Sequence, residues 1–126
     1  MKKTLLILLA FFTLSFTYSQ EWELIVEKED GQQTFMRPHS INSAWIKIIP
    51  FEVNTENDKM IEGYLVQLME FDCRKKKNGV LAYFGYDKEG NLLDSYEFKS
   101  FEVKMEYSPP ESMGEYLINN FCENER

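Results

Sequence analysis

The chain has 126 residues and a formal charge of −7; 44% of its residues are hydrophobic and 15% aromatic. That length fits one domain, and the supply of large apolar side chains excludes a disordered chain. The acidic balance repels phosphate backbones, which excludes nucleic acid as a partner.

The N-terminus opens with Lys2 and Lys3, followed by an almost wholly apolar run from Thr4 to Phe16. Thr17 and Ser19 are small residues at the spacing that a signal peptidase reads, so residues 1–19 are expected to be a cleaved signal peptide, cut between Ser19 and Gln20. The apolar run is too short for the roughly 20 residues of a spanning helix and ends in polar residues, so no transmembrane anchor is expected. No cysteine sits at the cut to carry a lipid. The expected destination is the periplasm, the cell surface or the medium. Losing Lys2 and Lys3 moves the charge of residues 20–126 from −7 to −9.

Residues 21–28 alternate loosely, with Trp22, Leu24 and Val26 on one side, and read as a strand. Asp30-Gly31 marks a turn. Residues 34–37 give a second strand, which Pro38 is expected to stop. Residues 44–49 are β-branched and aromatic and give a third, ended by Pro50. The polar, acidic stretch 53–59 reads as a loop. Residues 62–73 form the longest strand: Leu65, Met69, Phe71 and Cys73 share its inward face, with Gln67 interrupting.

The basic run Arg74-Lys75-Lys76-Lys77 leads into Asn78-Gly79, a strong hairpin signal. Residues 80–86 return as a strand, 87–90 turn again, and 91–98 follow. Residues 101–107 alternate apolar with charged and are expected to form a half-exposed strand. Every connection is too short for a crossover, so the sheet is an antiparallel meander of about six strands. Ser108-Pro109-Pro110 then breaks the sheet. Glu111 and Glu115 suit the first turns of a helix. Met113, Leu117, Ile118, Phe121 and Cys122 share one face of that helix, which should lie on the sheet. The fold class is α+β.

Cys73 and Cys122 are the only cysteines, and both lie in the exported part. An oxidising compartment pairs them. The bond Cys73–Cys122 ties the last helix to the middle of the sheet, a structural role, because no Cys-x-x-Cys is present.

The run Glu70-Phe71-Asp72-Cys73, the basic residues after it and Tyr86-Asp87-Lys88-Glu89-Gly90 resemble the bacterial surface-adhesin protein E family. So do Ser108-Pro109-Pro110-Glu111-Ser112 and the helix ending in Phe121-Cys122. The resemblance covers residues 22–122. It implies a six-stranded antiparallel sheet with a C-terminal helix pinned by the cysteine pair. For its pathogen members it also implies binding to host extracellular proteins.

No catalytic constellation is visible. His39 is the only histidine and has no identifiable nucleophile partner. Glu70 and Asp72 share a strand face, which suits either acid–base work or a solvated surface. No metal or cofactor is expected. The only dense basic patch, Arg74, Lys75, Lys76 and Lys77, is either a contact for sulfated glycans and acidic matrix-protein segments or a hairpin whose lysines guard the sheet edge. Tyr83, Tyr86 and Tyr96 are candidate anchors. A free sheet edge could pair two copies into a homodimer. Two readings stand side by side: an exported binding or adhesion domain, and a periplasmic or secreted structural domain without a host ligand.

Overall fold

A computed structural model describes residues 21–124. The expected leader and its cut lie outside the described residues. Among the described residues seven strands come first: β1 (Glu23–Glu27), β2 (Gln33–Ser40), β3 (Ser43–Asn54), β4 (Met60–Asp72), β5 (Lys77–Asp87), β6 (Leu92–Glu97) and β7 (Glu106–Tyr107). One helix, α1 (Met113–Asn124), closes the described chain. Strands β1 to β6 pair in sequence order, all antiparallel. The expected six-strand meander with a docked C-terminal helix is therefore the observed fold.

Pairing register sets the two faces. Thr34, Met36, Ala44, Ile46, Ile48 and Met69 alternate onto one face. Against it lie Leu117, Ile118, Phe121 and Cys122 of α1, with Met113, Ile25 and Val80 at the margins. Phe71 and Phe121 stack at 4.7 Å between ring centres. The inward face of β4 is as expected at Met69 and Phe71, which are buried. Cys73 continues that face and bonds Cys122, with Cα atoms 5.6 Å apart.

At the far end the sheet curls over the same side. A side chain at Gly85 would strike the Val53 methyl group at 2.5 Å, so Val53 packs directly on that backbone. Gly63 faces the carbonyl of Tyr86 so closely that a Cβ there would collide with it.

Both proline expectations need correction. Pro38 does not stop β2, which runs on to Ser40. β1 pairs only as far as Met36, so Pro38 lies beyond the last β1 ladder bond, where a missing N–H is tolerated. Pro50 does not end β3, which runs on to Asn54. It follows a cis bond from Ile49 and sits where the register shifts between Ile48 and Phe51, so no regular ladder bond is lost. The loop expected at 53–59 is accordingly shorter: Val53 and Asn54 belong to β3, and Val53 is buried.

Residues 101–107 are not one strand. Only Glu106 and Tyr107 pair, and they pair with Lys77 and Asn78 of β5 rather than with β6. The preceding residues instead make a turn: Glu102 N donates to Lys99 O at 2.8 Å, while the Glu102 carboxylate accepts from Lys99 N and from the Tyr96 hydroxyl. Glu111 lies outside α1 with φ +65°. Ser112 caps the helix, accepting from Glu115 N, and the Glu115 side chain reaches back to Glu111 N.

Thr34 is wholly buried, and its hydroxyl has no hydrogen-bond partner among the described residues. A buried orphan hydroxyl costs about 1–3 kcal/mol. Thr34→Val keeps the shape and removes the polar atom. It should raise stability by about 1 kcal/mol in urea unfolding, with an unchanged slope.

Candidate functional site

The basic run forms the β4–β5 connection. Asp72 and Lys77 are the closing pair, so the turn is Cys73–Lys76. Asn78-Gly79 is not the turn, contrary to the hairpin signal. Both residues are inside β5, opposite Phe71 and Glu70. Their chemistry serves other contacts. Asn78 Nδ2 donates to Ser108 Oγ at 2.7 Å, and a side chain at Gly79 would lie 2.8 Å from the Lys104 carbonyl oxygen. The turn is fixed by other means. Lys75 N donates to Asp72 Oδ1 at 3.1 Å, and Lys76 takes the left-handed conformation at φ 56°. The covalent link from Cys73 to α1 anchors its first residue.

Arg74, Lys75 and Lys76 are all exposed on this turn. The one ion pair among the described residues is elsewhere, Lys88 Nζ to Glu62 Oε2 at 2.8 Å. The three cations are thus left to solvent. Lys77 is placed differently. It is in β5, half-buried, with its ammonium 4.8 Å from the centre of the Tyr107 ring. That cation–π contact takes it off the tip.

The neighbouring β2–β3 turn, Ile41-Asn42, lies at the same end of the sheet. That turn is fastened to the end of β4 by a backbone bond, Phe71 N to Asn42 O at 2.8 Å, and by Asn42 Nδ2 to Glu70 Oε1 at 3.1 Å. Between the two turns is an open cleft of about 410 Å³, lined by Ile41, Asn42, Glu70, Asp72, Cys73 and Met105 among others. Glu70 and Asp72 are therefore engaged in holding the turns. Ile41 projects from its turn at 83% exposure, and Tyr107 is 68% exposed beside Lys77.

The three candidate tyrosines do not form one surface. Tyr83 and Tyr86 are three residues apart in β5 and point to opposite faces. Tyr86 stacks on Tyr64 at 5.0 Å, and Tyr83 sits beside Tyr96 and Phe98. His39 lies exposed at the irregular end of β2, with its ring edge-on to Trp45 at 5.6 Å.

Lys88 is raised by its pairing with Glu62, and the other groups with displaced pKa values fasten surface turns. Backbone and side-chain donors of Asn91 hold the Asp87 carboxyl below its usual range. Lys99 N and the Tyr96 hydroxyl do the same for Glu102, while Tyr96 is raised by donating to Glu102. Glu102's contribution is complete once its carboxyl ionises and is lost as pH falls through its depressed pKa. Tyr96's persists at lower pH and is lost as pH rises through its raised one. The 99–102 turn is thus held across the whole neutral range.

Among the described residues, no group of three or more His, Cys, Asp or Glu side chains could hold a metal ion. No described helix is long and apolar enough to cross a membrane. Compared with family models, curated proteins and solved structures, the chain has no match.

Proposed function

We propose that the chain is an exported, non-enzymatic binding domain of the surface-adhesin protein E kind, which meets an anionic partner through the β4–β5 tip. The observation that carries this reading is the tip itself. Three consecutive exposed cations occupy one four-residue turn, and that turn starts at a disulfide-bonded cysteine. A charge cluster on a pre-fixed turn has little backbone order left to lose on binding, so more of its attraction appears as affinity. On a chain of net charge −7 this cluster also steers the domain, tip first, toward negative surfaces. The family resemblance adds host extracellular proteins as the partner class, and the charge of the tip suits acidic segments of matrix proteins or sulfated glycans.

The reading is tested by retention on immobilised heparin and on immobilised matrix protein. The variant Arg74→Gln/Lys75→Gln/Lys76→Gln should elute at much lower salt than the parent, losing roughly three charges' worth of salt dependence. Lys77→Gln should change retention little, because that ammonium is already committed to Tyr107. Equal retention of parent and triple variant would remove the tip as the contact.

A further inference from the structure

We infer that the end of the sheet carrying the tip docks on an anionic lipid bilayer surface, an inference that rests on the tip being a binding contact. Three features lie in a row across that end. The β2–β3 turn presents Ile41, the β4–β5 turn presents Arg74, Lys75 and Lys76, and β7 sets Tyr107 beside the residue that follows the tip. The two turns are two strand spacings apart, about 10 Å, and Ile41 and Cys73 line one cleft between them.

Each member has a bland explanation alone, but the row does not. Single exposed apolar side chains are ordinary on protein surfaces. Ile41, however, stands in a tight turn where Gly, Asn, Asp or Ser is the usual choice. It is 83% exposed, and its neighbours Ser40, Asn42 and Ser43 bond among themselves beneath it. Tyr107 adds a ring with an apolar body and a polar tip, the combination suited to a membrane–water boundary. Cations beside such side chains meet anionic headgroups while the apolar groups enter the acyl boundary.

Charge complementarity decides the occupant. The chain as a whole is acidic, and the exposed run Arg74–Lys76 is its dense cationic cluster; Glu70 and Asp72 beside it are bonded to Asn42 and to Lys75 N, so the free charges this turn offers a negative surface are cations. A sulfated polysaccharide would satisfy the cations but would leave Ile41 in water. A bilayer satisfies both.

The test is co-sedimentation of the processed chain, residues 20–126, with phosphatidylcholine vesicles containing phosphatidylglycerol, and with phosphatidylcholine vesicles alone. Heparin retention is measured in parallel. Binding to the anionic vesicles only is expected, weakened by added salt. Ile41→Ser should lower the vesicle partition about ten-fold without moving heparin retention. Each Lys or Arg neutralised at the tip should cost about five-fold. Leu92→Ser, an exposed apolar change on β6, should change neither readout. Tip-dependent heparin retention without vesicle binding would overturn the bilayer inference and leave the binding-domain reading intact. Vesicle binding that ignores Ile41→Ser would also overturn it. Failure on both supports would overturn both readings.

Discussion

Cys122→Ser should lower the melting temperature by roughly 15–25 °C. Cys73 and Cys122 are 49 residues apart in sequence. Closing a loop of that length removes about 4 kcal/mol of unfolded-chain entropy. A domain of this size has a total stability of only about 5–15 kcal/mol. The bond's location adds to its importance. It joins the last turns of α1 to the base of the β4–β5 tip, so its loss loosens both. Thermal melts of the variant, and of the parent with and without dithiothreitol, check this. Equal melting of all three would mean that packing alone holds the helix.

Phe121→Ala should cost about 3–5 kcal/mol in chemical unfolding. Phe121 is buried and stacked on Phe71, which is itself 2% exposed. The truncated side chain would leave a void against Phe71 within the close-packed cluster that also holds Met69 and Leu117. Because Phe121 and Cys122 are adjacent on one helix end, their effects should not add. A double variant losing less than the sum of the two single losses would show that both act by holding the same helix on the same face. Strict additivity would show that ring and bond act independently.

Much of this architecture was legible in the residues. Two-residue alternation placed Met69, Phe71 and Cys73 on one face, and the change of period after Pro110 placed Leu117, Ile118, Phe121 and Cys122 on one side of a helix. Those signals survive because they record burial, which dominates the free energy. What misled was local turn and breaker chemistry. Pro38 and Pro50 read as stops because the register irregularities and the short β1 neighbour that accommodate them depend on partner strands. Asn78-Gly79 read as a turn, whereas Asn78 is wanted for Ser108 and Gly79 for the close approach of Lys104. Those contacts come from Ser108 and Lys104, far downstream in the chain, and no local pattern announces them.

The candidate site was half visible. The basic run stood out as a charge cluster, but its division into three free cations and one committed to Tyr107 depends on the pairing of β7 with β5. Ile41 was not singled out. The signal available was an apolar residue within Ser40-Ile41-Asn42-Ser43, an otherwise polar turn.

The helix comes last among the described elements, yet it completes the core. Until residues 113–124 have been made, Met36, Ala44, Ile46, Met69 and Phe71 have nothing to lie against, and the meander exists as an open sheet with one greasy side. Chains cut short before Met113 would therefore retain every strand while exposing the surface on which sheets clump.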